Sequence, residues 1–461
     1  MIDTPGHHAA PALARLARHL PQVTLANAPA LVRRQASLCI LDTVGCMLAG
    51  TQTAEARLVL ACEPADPGGD FPVTVPGSAE RRGLMAGLRI NGYLGDVLEL
   101  NDLIGGHASI GNVTAALALA EARGATGTAL LEAVIRGIEV TTRVYAAVYP
   151  TLKRYTETGM VPVGVPSAIG AAAAAARLLD LDETQTLHAM AIAGGLSGWC
   201  PAEVIFGAGG SMKPLLFGAQ PAAVGVTAAQ YARHGMTGPA RLLESPLGYL
   251  ATSSTGGGMD TRPWDTEWAL QQPRRKLHAC CGYLHSAVDA VGQLRARLGA
   301  ALSAGALEVR VPPYVADVVS KSAAPSSAND ARFHLQYCLA LAVCGHDVIL
   351  PAHSIDFAAH HAMPEVRAAM ARIQVVPDPA LTHYHQCAVT FAGDDGTRPS
   401  LAVSAPRGAP SAPLTDADVE HKFLTLAQPV IGAEAAQRFA AALQRLESCT
   451  DVRTLMRLVA R

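Results

Sequence analysis

The stretch AIGAAAAAARLLDL, Ala168–Leu181, decides the fold. Alanine gives up no side-chain entropy in a helix and presents a surface so small that a neighbouring helix axis can approach closely. The run is shorter than the roughly 20 apolar residues a bilayer requires, and it is closed by Arg177 and Asp180, so it predicts a buried helix of a dense bundle rather than a membrane span. Working outward, the same texture recurs in AALALAEARGA, Ala115–Ala125. From about Ala10 to Tyr249, apolar residues repeat at spacings of three and four between Gly, Pro and Asp breaks. This half reads as an all-α domain. After the glycines at Gly256–Gly258 the texture changes. Short β-rich stretches, LEVRVPPYV (Leu307–Val315), ARIQVVPDP (Ala371–Pro379) and CAVTFAGDDG (Cys387–Gly396), alternate with helical ones. From Leu414 the chain returns to helices, the first capped by Thr415 with Asp418 three residues on. The expectation is therefore a mainly α protein: an all-helical domain over 1–260, a smaller α+β domain over 261–410, and helices over 411–461 that pack back on the first.

At 461 residues and 50% hydrophobic, the chain exceeds the size at which one core stops growing. Charged residues are 16% of the total and the net charge is −2, which supplies no basic surface for nucleic acid. An anionic ligand must then be met by a few cations in a pocket, which favours a small acid. The opening MIDTPGHHAAPALARLARHL lacks the basic start and continuous apolar run of a secretory signal, and ten cysteines without a CxxC pair read as reduced thiols; both point to the cytoplasm. His and Cys do not cluster at zinc-ligand spacing, so no metal is expected. The run GAGGS at Gly207–Ser211 has neither the spaced glycines of a dinucleotide fingerprint nor the Gly-Lys-Ser/Thr of a P-loop.

Four stretches, in this order, carry a family likeness: ILDTVGCMLAG (Ile40–Gly50), NGYLGDVLELNDLIGGHASIGNVTAALALAEARGATG (Asn91–Gly127), FGAGGSMKPLLFGAQPAAVGVTAAQYARHGMTGPARLLE (Phe206–Glu244) and RRKLHACCGYLHSAVDAV (Arg274–Val291). With the PLT...KF...LA ending they resemble the landmark segments of the MmgE/PrpD family across nearly the whole chain. The resemblance implies a large helical domain, an α+β lid, an active site in the cleft between them and a homodimer. It also implies chemistry on a small di- or tricarboxylate without metal or organic cofactor, as in 2-methylcitrate dehydratases, cis-aconitate decarboxylases and iminodisuccinate epimerases.

Such chemistry moves a proton at a carbon beside a carboxylate, and needs cations for the carboxylates and a positioned acid or base. By resemblance, Lys213 in SMKPL, His107 in GGHAS and Lys276 in RRKLHACCG are the catalytic candidates. Glu99 and Asp102 in LELND stand in the family's acidic cluster as substrate-site residues; Glu99 is expected to orient His107 or a lysine, while Asp102 read on its own is a helix cap or loop ion pair. Arg274 and Arg275, read alone, are a solvated charge run. Cys281 stands where decarboxylase-like members carry a second histidine, and a thiol beside Lys276 and His107 is expected to have a lowered pKa and act as a base. His285, four residues on, is expected to face the same side.

The sequence departs from the pattern at Asn101, in place of an acid, and at Val161 in ETGMVPVGVPSAIGAAA, where a histidine is expected. An aliphatic side chain cannot relay a proton, so one acid or base of the dehydratase or decarboxylase is missing; Tyr155, Lys153 and Arg154 in the same loop are candidates to supply it, and Lys321 lies in SKSAAPSS, where other members have a tyrosine. Dehydration leads, epimerisation follows because it needs two opposed bases and no leaving-group acid, and decarboxylation is third. A carboxylate-binding protein whose chemistry has decayed is the reading from a different class.

Overall fold

A computed structural model describes residues 10–63, 72–206 and 210–461. The first nine residues of the opening segment, and residues 207–209 of the GAGGS run, lie outside them. The chain is mainly helical with small sheets, as its texture predicts. The alanine run lies in the helix Gly164–Leu178, buried on nearly every side and packed against the helices Ala108–Arg123, Gly127–Ala146, Glu183–Leu196 and Gln220–Arg233. Close approach here depends on side chains no larger than a methyl. A Cβ on Gly225 would meet the Cβ of Ala171 at 2.4 Å.

The α+β part is built on one four-stranded sheet. Ala306–Val311 pairs in parallel with Ile373–Pro377 on one side and antiparallel with Cys387–Ala392 on the other, and Ser400–Val403 closes the far edge. Period-two alternation buries Leu307, Val309 and Val311 of the central strand against the helices His285–Leu298 and Leu335–Val343. The Asp416–Ile431 helix starts with the capping box of Thr415 and Asp418 and lies along the helix Ala30–Gly50. Its Lys422, buried, pairs with Asp42 of that helix at 2.7 Å and donates to the carbonyls of Leu100 and Lys276, each at 2.8 Å.

Buried side chains form two clusters. One joins residues between Leu13 and Ala279 to the C-terminal helices; the other is centred on the four-stranded sheet. Membership does not follow chain order, because Val161, Val163, Cys200, Val204, Ile205 and Phe217 of the helical half belong to the second cluster. A cavity of about 750 Å³ lies where the two meet. Among the described residues no helix is long and apolar enough to cross a membrane.

Candidate active site

The floor of this cavity comes from the segment Asp96–His107. The helix Leu84–Asp96 ends in the acid, and the following turns carry Glu99 and His107, two non-glycine residues in the left-handed region with φ of 53° and 75°. Such conformations each cost on the order of 1–3 kcal/mol and persist only where surrounding structure enforces them. Here Gly105 and Gly106, also at positive φ, lead into His107, and a side chain at Gly106 would overlap the Tyr145 ring. The floor is further fixed by a backbone approach. The helix Leu84–Asp96 passes so close to the π-helical turn Leu215–Ala219 that a Cβ on Gly218 would lie 2.1 Å from the Gly92 carbonyl oxygen. The turn sets Phe217 under the site, with its ring centroid 4.3 Å from Lys213 Nζ and edge-to-face with His107 at 5.4 Å.

Two ammonium groups and two carboxylates interlock there. Lys213 Nζ pairs with Asp96 Oδ2 at 2.8 Å and with Glu99; Lys276 Nζ pairs with Glu99 Oε2 at 2.6 Å and donates to the Glu99 carbonyl at 2.9 Å. All four side chains are essentially inaccessible. Burial lowers the Lys213 pKa to about 8, against the pull of Asp96, and lowers that of Lys276 as well.

Asn101 links this network to His107. Its Nδ2 donates to Asp96 Oδ1 at 2.5 Å, so its Oδ1 faces His107 Nδ1 at 2.7 Å. A carboxylate only accepts, which orients the amide; the amide oxygen only accepts, which puts the proton on Nδ1 and leaves Nε2 as a lone pair. Burial, reinforced by Lys276, lowers the His107 pKa to about 3, so the imidazole is neutral.

Aromatic side chains supply much of the remaining lining, beside polar and charged ones that include Arg143, Arg274 and His383. Tyr145 and Tyr149 stack at 5.0 Å, the hydroxyls of Tyr155 and Tyr283 lie 3.5 Å apart, and Tyr283 leans on Tyr384 at 5.3 Å between centroids. Val161 completes the wall with Val163, Phe217 and Phe333.

Of the residues singled out in the sequence, Glu99, His107 and Cys281 line the cavity, and Lys213 and Lys276 lie directly beneath through their pairs with Glu99. Asp102 and His285 are not brought to it. Asp102 is turned into the protein near Arg275 and Cys39, where burial raises its pKa to about 6. His285 opens its helix, packs its ring against His278 at 4.9 Å and reaches the Cys280 carbonyl at 3.3 Å. The expectation of an acidified Cys281 is corrected: burial raises the thiol pKa and outweighs Lys276 and Lys213, so the group keeps its proton. Near Val161, Tyr155 lines the cavity, whereas Lys153 donates to the carbonyls of Ala251 and Thr252 and Arg154 lies outside the lining. Lys321 is paired with Asp330 at 2.5 Å, also away from the lining.

Residues that sequence reasoning did not single out are Asp96, Arg274, Phe217 and the tyrosines other than Tyr155. Asp96 carried a readable signal, an acid inside the apolar run GYLGDVLEL three residues before Glu99. The charge run Arg274–Lys276 resolves by alternation. Arg274 and Lys276 point to the site, while Arg275 turns away to Gln35 and Cys39. Among the described residues no group of three or more His, Cys, Asp or Glu side chains is arranged to hold a metal ion.

Sequence comparison agrees with this architecture. The MmgE/PrpD N-terminal domain matches residues 14–262 and the MmgE/PrpD C-terminal domain matches residues 278–448, so the chain belongs to the MmgE/PrpD family. It is 25% identical to the cis-aconitate decarboxylase-like protein oryM of Aspergillus oryzae over 97% of this chain and 96% of that one. It is 26% identical to the cis-aconitate decarboxylase of Mus musculus over 65% of this chain and 62% of the mouse protein.

Proposed function

We propose that the protein is a cofactor-independent lyase that removes carbon dioxide from a small unsaturated polycarboxylic acid of the cis-aconitate type. The observation that carries this reading is the composition of one lining. A neutral His107 and a protonated Cys281 face the cavity, over a floor of four interlocked charges, with the aliphatic side chains of Val161 and Val163 in the wall. A carboxylate set against apolar side chains loses hydration, whereas the carbon dioxide it becomes loses little, so such a wall favours its departure. The electron pair of the broken carbon–carbon bond stays on the skeleton, conjugated with a carboxylate near the lysines. Cys281 then gives its proton to carbon; the thiolate is stabilised by Lys276 and Lys213 until water returns a proton. The negative charge of an arriving polyanion raises the His107 pKa, and the imidazolium donates through Nε2 to a carboxylate that stays on the product. The names of both relatives support decarboxylation over the other lyase reactions.

Epimerisation loses ground because it requires a second base, and the Cys281 thiol is held protonated. Dehydration is the second reading, favoured by one observation: the Tyr155–Tyr283 hydroxyl pair, with both phenol pKa values raised by burial, is a pair of proton donors beside Val161. Proton NMR in deuterium oxide with cis-aconitate, citrate, 2-methylcitrate and malate separates these. Carbon dioxide release with one deuterium placed on product carbon is expected from cis-aconitate. Water loss from a hydroxy acid with no decarboxylation establishes dehydration instead, and deuterium exchange alone establishes an epimerase.

A further inference from the structure

The lysines beneath the site are already spoken for. Lys213 and Lys276 carry two positive charges against the two negative charges of Asp96 and Glu99, all within ion-pair distance, so at neutral pH the floor presents no surplus charge to an arriving anion. Two arginines lie in the lining. Arg143 is engaged: its guanidinium sits 3.9 Å over the Trp264 ring, bonds to the Arg262 carbonyl and faces the acids Asp260 and Glu139. Arg274 differs. It makes no ion pair with a carboxylate among the described residues, and its one side-chain partner there is the neutral hydroxyl of Tyr384. The guanidinium therefore lines the cavity with its charge unmatched by any carboxylate among the described residues, and an ion pair of the kind arginine forms with a carboxylate is left for a ligand to supply.

Its position is fixed relative to His107. The Arg274 carbonyl accepts from the Leu103 amide at 2.9 Å, tying it to the loop that delivers His107, and Lys276, two residues on, reaches Glu99. The neighbouring His383 is held below its usual pKa by burial and by Arg274 itself, so the neutral imidazole does not compete for an anion.

We infer that Arg274, braced by Tyr384, is the anchor for a substrate carboxylate remote from the reacting carbon, and that it confines this site to acids with at least two carboxylates. This inference rests on the carboxylic-acid reading of the cavity. It makes Arg274 a specificity-determining residue that acts on binding rather than on the bond-breaking step. The test measures calorimetric binding of tricarballylate, a saturated tricarboxylate with no reaction open to it, to the full chain, to Arg274→Gln and to Arg274→Lys, alongside KM and kcat for cis-aconitate. Arg274→Gln is expected to weaken tricarballylate about 10- to 100-fold and to raise KM far more than it lowers kcat, with Arg274→Lys recovering part of the loss. Unchanged affinity in Arg274→Gln overturns the anchor, as does failure of the unmodified chain to bind tricarballylate. A loss that Arg274→Lys does not relieve, accompanied by a lowered unfolding midpoint, overturns it too, since the residue is then structural. If tricarballylate binds in an Arg274-dependent way while no acid of the NMR panel reacts, the decarboxylase reading falls and the anchor stands.

Discussion

Asn101 is an amide at a position where it must accept from His107 and donate to Asp96 at once, and a carboxylate can do only the first. Replacing it by leucine removes the group that fixes the ring, and kcat is expected to fall by about 100-fold, the order seen when one positioned donor is lost. The shift of His107 has a second consequence. With its pKa lowered to about 3 the ring is neutral at pH 7, whereas the proposed complex holds an imidazolium. Binding of tricarballylate should therefore take up close to one proton, measured as the dependence of binding enthalpy on the ionisation enthalpy of the buffer; no uptake would mean that His107 works as a neutral group. Lys213 sets the opposite limit. With its pKa lowered to about 8, the ammonium is lost as pH rises through that value, so kcat/KM should decline tenfold per pH unit above it. Cys281→Ala is expected to cut kcat by about 100- to 10,000-fold while tricarballylate affinity stays within about twofold. A kcat that survives the substitution removes the thiol as proton donor.

The Asp416–Ile431 helix, although far from the cavity in sequence, holds the site backbone in place. Lys422 binds the carbonyls of Leu100, beside Glu99, and of Lys276, and its charge is balanced by Asp42. Lys422→Met strands a buried carboxylate and two carbonyls, so a loss of about 3–5 kcal/mol of stability is expected in denaturant titration. The double substitution Asp42→Asn with Lys422→Met should recover a large part of it; equal losses in single and double variants would show that the pair itself contributes little. How much of the site could be read beforehand also depends on elements. His107, Lys213, Lys276, Glu99 and Cys281 can be marked beforehand because the segments that carry them resemble the family's landmark stretches. The direction in which they point cannot. Whether Arg274 or Arg275 faces the cavity depends on which residue of an extended stretch meets the loop at Leu103, and the αL conformations of Glu99 and His107 leave no mark on a sequence that has no glycine at either position. The direction of the Cys281 pKa is hidden for a related reason: proximity to Lys276 is visible along the chain, but the burial that raises the thiol pKa is a property of the assembled cavity.

For the whole molecule, the helical character was legible because alanine periodicity over many turns has few other solutions, and the sheet showed in strands whose alternation matches one buried face. What was not legible is that chain order and core membership part company. Val161, Ile205 and Phe217 come from the helical half yet pack with the sheet-centred cluster, a long-range fact with no local signature. The consequence is a cavity walled by both clusters, with the loop Leu103–His107 on one side and Tyr283, Phe333 and Tyr384 on the other. A ligand that bridges them stabilises their contact and not merely one lobe. At a free concentration about 100 times its dissociation constant, tricarballylate should add about 2.7 kcal/mol to global stability, since the unfolded chain offers no such cavity. Hydrogen exchange resolves where that energy goes. If the acid spans from Arg274 to the floor, amides of 103–108 and of 281–284 should slow together, because opening either wall then requires releasing the ligand. Slowing confined to 103–108 would place the ligand on the helical side alone, and the two clusters would then move independently of whether the cavity is filled.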